Sequence, residues 1–183
     1  MTEIYIDKTL YSTRPDPTGR LEKEMEAYGV LEKLGIHFER VDHREASSIE
    51  DLKNVEDVLG TRICKNLFLC NASKSKFYLL LMPGDKKFLT KNLSKQIGSS
   101  RLSFAEGEHM EKLLNITPGS VSVLGLMNDK QVEVSLVIDK ETADQEYFGC
   151  HPLINTSTIK VKTSDILDIF LPYTGHEYKV VEL

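Results

Sequence analysis

Between Phe148 and Val161 the chain reads FGCHPLINTSTIKV, which gathers a thiol, an imidazole, a carboxamide and three hydroxyls into one short connection. Gly149 frees the backbone there and Pro152 stiffens it two positions past Cys150, so a loop held in one shape is expected. A held polar loop can bind. His151 is the candidate acid–base group, although a lone histidine in a turn is more often a packing or hydrogen-bonding residue than a base. Cys150 beside it suggests a thiol nucleophile, but the imidazole is its sequence neighbour rather than an evident spatial partner. The five histidines (His37, His43, His109, His151 and His176) are scattered without ligand spacing, and no metal or other cofactor is implied. Cys64, Cys70 and Cys150 are too few and too irregular for a disulfide framework, and they read as reduced thiols.

A second stretch that could do chemistry is ICKNLFLC, residues 63–70. As a strand it places Ile63, Lys65, Leu67 and Leu69 on one face and Cys64, Asn66, Phe68 and Cys70 on the other. Lys65 thus sits among apolar partners, where an ammonium must either snorkel to water at the strand's entry or meet an anion. Charge is uneven around it. From Arg62 to Arg101 nine basic residues face one acidic residue, Asp85, a net of +8 that leaves −13 for the rest of a −5 chain. One phosphate-facing surface would explain this, with Lys86, Lys87, Lys91 and Lys95 as candidate RNA contacts; lysines scattered over several faces would explain it too.

Elements that could hold these groups follow from periodicity and punctuation. Residues 1–19, with Pro15, Pro17 and Gly19, read as an arm, and residues 20–183 as a single domain. Helices are expected over Leu21–Leu34, from Ser48 to a stop at Gly60, over Lys91–Gln96, over Glu106–Leu114 and over Ser164–Phe170. Strands are expected at Phe38–Val41, Ile63–Cys70, Phe77–Met82, near Val121, at Val132–Ile138 and at Thr158–Val161, with an edge strand at Tyr178–Val181. The fold class is mixed α/β (α+β), with a central, mostly antiparallel mixed or barrel-like sheet and helices packed around it. No apolar run approaches membrane-spanning length, no secretory pattern opens the chain, and a cytoplasmic location is expected.

Taken in order, several short motifs resemble one family. Lys65-Asn66-Leu67-Phe68-Leu69 after Gly60-Thr61, Gly149-Cys150-His151-Pro152-Leu153 with Asn155-Thr156, and Thr174-Gly175-His176-Glu177 are similar to the YbaK-like, prolyl-tRNA synthetase-associated editing domains. Gly19 to Glu24, Val41-Asp42-His43 and Ser48 to Asp51 resemble its freestanding, PrdX-type branch, and the likeness runs from about residue 19 to Leu183. That resemblance implies hydrolysis of mischarged aminoacyl-tRNA, most of all alanine on proline tRNA. A synthetase built for proline cannot sterically reject the smaller alanine, because missing apolar surface yields only ~1–3 kcal/mol of discrimination.

It also implies roles. Lys65 would contact the phosphate or ribose of the terminal adenosine. Asn66 would orient the amine or carbonyl, and the Gly149–His151 backbone would offer N–H groups to the oxyanion. His151 would position water or ribose, with the vicinal ribose hydroxyl assisting proton transfer. Ser120, Ser122 and Leu124 would shape the acyl pocket, and Cys150, Pro152, Asn155 and Thr156 would complete its wall. Val123 stands where relatives often carry proline and Cys150 where they often carry a larger residue, two departures that bear on acyl specificity. His176 reads as structural and His43 as a loop cap. The implied partners are tRNA, through its acceptor end, and prolyl-tRNA synthetase; no DNA or membrane is expected. The alternatives are a deacylase for cysteine or serine on tRNA, and a catalytically silent module that binds tRNA or a synthetase.

Overall fold

Cys64–Asn71 (β2) and Phe77–Pro83 (β3) pair antiparallel, joined by a turn at Asn71–Ser75. Both are apolar on alternate residues of each face, so they take the middle of a sheet covered on both sides. The computed structural model describes residues 4–46 and 50–183. Among these, the other elements are α1 (Glu22–Lys33), β1 (Phe38–Asp42), α2 (Lys53–Leu59), α3 (Thr90–Ile97), β4 (Leu102–Phe104), α4 (Gly107–Leu114), β5 (Val134–Asp139), α5 (Lys140–Ala143), β6 (Tyr147–Cys150), β7 (Ser157–Lys162), α6 (Thr163–Asp165), α7 (Leu171–Thr174) and β8 (Tyr178–Val181). A π-helical turn, Ile166–Phe170, joins α6 to α7.

Five strands run β4-β2-β3-β5-β8, with β3, β5 and β8 parallel, and three run β1-β7-β6, all antiparallel. The sheets do not close into a barrel. One face of the larger sheet packs Phe68, Leu79, Leu136 and Ile138 against α1, α4, the π-helical turn and the smaller sheet. The opposite face packs Leu69, Leu80, Met82 and Val137 against Leu93 of α3. A third cluster seats Val55 and Leu59 of α2 on Val41 and Ile63. Gly60 ends α2 in the left-handed conformation, with φ at 62°, and turns the chain into β2.

Several expectations shift. No strand forms at Val121; the Ser122 hydroxyl accepts from Leu124 N–H at 3.3 Å and starts a 3-10 helix, Val123–Met127, since short hydroxyls compete for local amides. The strand expected from Val132 begins at Val134. Val132 has φ of 54°, in a turn where the Asp129 carboxylate accepts from Glu133 and Val134 N–H. The stretch opening at Phe148 is no mere loop, because Phe148, Gly149 and Cys150 belong to β6. The edge strand β4 and the single-turn α5 are too short to carry a periodic signal. Ser48, the expected start of the second helix, lies outside the described residues. The described part of the arm lies along β1, with bridges Ile6 to His43 and Tyr11 to Arg40.

Candidate active site

The first half of β2 has a free edge, because β4 pairs with it only over Leu69–Asn71. A cavity of about 290 Å³ sits there, between the two sheets, and Lys65, Asn66, Gly119, Val121, Cys150 and His151 line it with Ala46, Leu52, Ile63, Cys64 and Leu67. The two stretches singled out in the sequence therefore meet. Gly149 makes the meeting close: a Cβ there would lie 2.7 Å from Ile63 Cγ1, and its N–H donates to the Arg62 carbonyl at 2.8 Å.

That bond corrects one expectation. Gly149 N–H is consumed between the sheets and is not a donor to an oxyanion; the missing side chain serves the sheet contact. The cavity instead offers three polar groups of different kinds. Lys65 Nζ donates to the Lys86 carbonyl at 2.9 Å, which holds the ammonium at the mouth. Asn66 Nδ2 donates to the Cys64 carbonyl at 3.2 Å and to its sulfur at 3.4 Å, leaving Oδ1 buried without a protein partner. A buried acceptor left unpaired is costly and marks a place where a ligand donor fits.

His151 is the third. Its Nδ1 donates to the Ser157 carbonyl at 2.9 Å, so Nε2 carries the lone pair. Burial lowers its pKa to about 4, because the charged ring would lose its hydration. Thr158 Oγ1 lies 3.4 Å from the same Nδ1 and 2.8 Å from His43 Nε2, and His43 Nδ1 donates to the Arg44 carbonyl at 2.7 Å. Burial lowers the His43 pKa as well. His43 is thus part of a buried polar cluster rather than a loop cap. His176 is structural, as read: buried, with Nε2 3.0 Å from Asp129 and Nδ1 2.9 Å from Thr174. The thiols are unfit as nucleophiles, since desolvation pushes Cys64 up to about 12 and raises Cys150 further.

Residues 43–169 match the aminoacyl-tRNA editing domain family. The chain belongs to that family. Editing is hydrolysis of the ester between an amino acid and the terminal ribose, so this editing domain is an aminoacyl-tRNA deacylase. Among similar proteins, the prolyl-tRNA editing protein ProX of Acetoanaerobium sticklandii is 33% identical over 153 residues, covering 84% of this chain and 93% of its own. The prolyl-tRNA synthetase associated domain-containing protein 1 of Danio rerio is 29% identical over 158 residues, covering 85% and 84%. In fold, a crystal structure described as that of a candidate trans-editing enzyme for prolyl tRNA synthetase superposes with a TM-score of 0.66 at 13% identity, covering 90% of this chain and 99% of that one.

Within the editing domain, other expected site residues fall elsewhere. Ser120, Asn155 and Thr156 line a neighbouring hollow of about 390 Å³ with Arg20, Glu24 and Asp42, where Asn155 Nδ2 donates to Glu45 and to the Ala46 carbonyl. Ser122 and Leu124 are buried, Ser122 as the helix cap and Leu124 in the main core, while Pro152 is buried outside the cavity lining. Of the two departures, Val123 is core and Cys150 lines the cavity. Lys86 is no free cation: its Nζ contacts buried Asp139 at 3.1 and 3.2 Å and Glu141 at 3.7 Å. Lys87, Lys91 and Lys95 are exposed. Ala46 and Leu52 were missed as wall residues, because an apolar side chain carries no chemical signal, whereas Gly119 and Val121 belong to the stretch Gly119 to Asp129 that resembles the family's loop bordering the acyl pocket. Ile63 and Leu67 could have been found from their two-residue spacing to Lys65.

Proposed function

We propose that this editing domain acts in trans on mischarged tRNA, removing alanine from proline tRNA while sparing the correct prolyl ester. The observation that carries this reading is the shared cavity in which a tethered ammonium, an unpaired carboxamide oxygen and a neutral imidazole meet among apolar walls. Its volume lies at the low end for ligand sites, which suits a small acyl group. The names of the similar proteins support proline tRNA as the carrier.

The chemistry assigns each group a task. The Asn66 Oδ1 acceptor takes an N–H of the amino acid's ammonium and sets the ester's orientation. Lys65, the cation of the cavity wall, meets the phosphate or ribose of the terminal adenosine and lowers the energy of negative charge developing on the carbonyl oxygen. Water attacks the carbonyl carbon, the bond to the ribose oxygen breaks, and the proton from water ends on that oxygen. His151 Nε2 accepts a hydrogen bond from the water or from the vicinal ribose hydroxyl. A pKa near 4 suits orientation of that donor better than storage of its proton. The apolar wall around Ala46, Ile63 and Val121 accommodates a methyl and crowds a proline ring. The protein works where charged tRNA is present, in the cytoplasm, with prolyl-tRNA synthetase as a second partner.

Incubation with labelled Ala-, Cys-, Ser- and Pro-tRNA tests the reading. Alanine should be released fastest and proline spared. Cysteine or serine released ahead of alanine would move the assignment to another small acyl group. Release of none would leave a tRNA- or synthetase-binding module.

A further inference from the structure

The face of β2 that carries Lys65 continues past the cavity to an exposed aromatic that the deacylation chemistry does not use. Cavity contact along β2 reaches Leu67, and at Leu69 the edge strand β4 begins to pair, with Phe104 opposite. Two residues of strand separate these positions, a rise of roughly 7 Å. Phe104 is 62% exposed, and its ring centroid lies 6.4 Å from that of Phe88, edge-on. Phe88 packs on the cluster that holds Leu67, Leu69 and Leu80, which puts both rings on the Lys65 side of the sheet. Phe88 also follows directly on Lys86 and Lys87, and the Lys86 carbonyl holds Lys65 Nζ.

A single exposed phenyl is ordinary by itself. Its setting is not. Lys87, Lys91, Lys95 and Arg101 are all exposed, they flank the ring pair in sequence and through the packing of α3 on β4, and none takes part in an ion pair among the described residues. Unpaired cations beside an accessible aromatic face, continuous with the mouth of the cavity, are complementary to single-stranded nucleic acid.

We propose that Phe104, braced by Phe88, stacks one of the unpaired bases that precede the terminal adenosine of the tRNA, while the flanking cations meet the phosphates of that end. This rests on the reading of the cavity as the seat of the aminoacylated terminal nucleotide. The ring fixes the direction in which the 3′ end enters. Stacking is tolerant of base identity, so Phe104 contributes affinity for an unpaired end rather than a sequence readout.

RNA hairpins with an unpaired 3′ end, carrying 2-aminopurine at each position before the terminal adenosine in turn, test this without requiring deacylation. Fluorescence should be quenched at one position on binding the wild-type protein. Phe104→Ala should abolish that quenching and weaken binding by about 5- to 150-fold, the range of one lost base stack. Phe104→Tyr should restore both, which separates loss of the ring from damage to the fold. Equal quenching and affinity in Phe104→Ala and wild type would overturn the proposal, as would weaker binding with no quenched position. A protein that shows ring-dependent quenching and yet releases no amino acid would overturn the deacylation reading alone.

Discussion

At the scale of single residues, the candidate site carries a cost in stability. Asn66 Oδ1 is buried without a partner, and such an acceptor destabilises a fold unless something outside it supplies the donor. Asn66→Leu should therefore lower kcat/KM for deacylation by roughly 10- to 150-fold, the size expected for a lost ligand hydrogen bond of about 1.5–3 kcal/mol. Thermal unfolding should change little, because relief of the orphaned acceptor offsets the lost bonds to Cys64. A large fall in the unfolding midpoint would count against this account. His43 and His151 add a pH dependence. Burial holds both below their ordinary value, so on acidification the unfolded chain binds protons near pH 6.5 that the native chain refuses until about pH 4 at His151. Their contribution is complete above pH 6.5 and is lost as pH falls toward 4, on the order of 3 kcal/mol for His151. Urea unfolding between pH 7.5 and 4.5 should show this decline, and a double variant with both histidines changed to glutamine should flatten it. Glu24, raised by its burial, acts in the opposite sense and is present in both proteins.

At the scale of elements, the cavity depends on how strands and loops are tied together. Asp139, fully buried at the end of β5, accepts from Lys86 Nζ, from Glu141 N–H at 3.0 Å and from Leu183 N–H at 2.9 Å. The Lys86 carbonyl in turn holds Lys65 Nζ. One carboxylate thus fixes the β3–α3 connection, the first turn of α5 and the C-terminal strand's exit, and through the first of these it aims the ammonium. Asp139→Asn should reduce kcat/KM about 10-fold in the wild-type background, a coupling near 1.4 kcal/mol, and should have no further effect once Lys65 is alanine. Equal losses in both backgrounds would make Asp139 a purely structural group. Lys86→Met, which keeps the carbonyl and loses the anchor, should behave like Asp139→Asn. The local elements themselves were largely legible. β2, β3 and α1 follow from apolar spacing, and Gly35 and Gly60 stop α1 and α2. β4 and β6 were not, because three or four residues at a sheet edge or beside a glycine carry no period of their own.

At the scale of the whole molecule, charge is distributed unevenly along the chain. A segment of net +8 within a chain of net −5 leaves Lys91 and Lys95 exposed on α3, while the rest of the chain carries a net −13. Affinity for tRNA should fall steeply with salt, with a log–log slope that shrinks by about 1 for each phosphate contact removed. Lys91→Glu with Lys95→Glu should flatten that slope. An unchanged slope would place the RNA on another face. Lys86 is excluded from that test because its charge is spent on Asp139.

By itself, the sequence determined what local rules can encode: the longer helices and strands, the mixed single-domain class, and the placement of Lys65 and Asn66 on opposite faces of one strand. Ordered motifs carried the family. Tertiary structure decided which groups share a cavity. It joined Lys65, Asn66 and His151 across two sheets, sent Ser120, Asn155 and Thr156 to the neighbouring hollow, and spent Gly149 N–H and the Lys86 charge on internal partners. The physical reason is that a side chain's type and spacing fix the face it presents, whereas its hydrogen-bond partner and its exposure belong to whatever packs against that face.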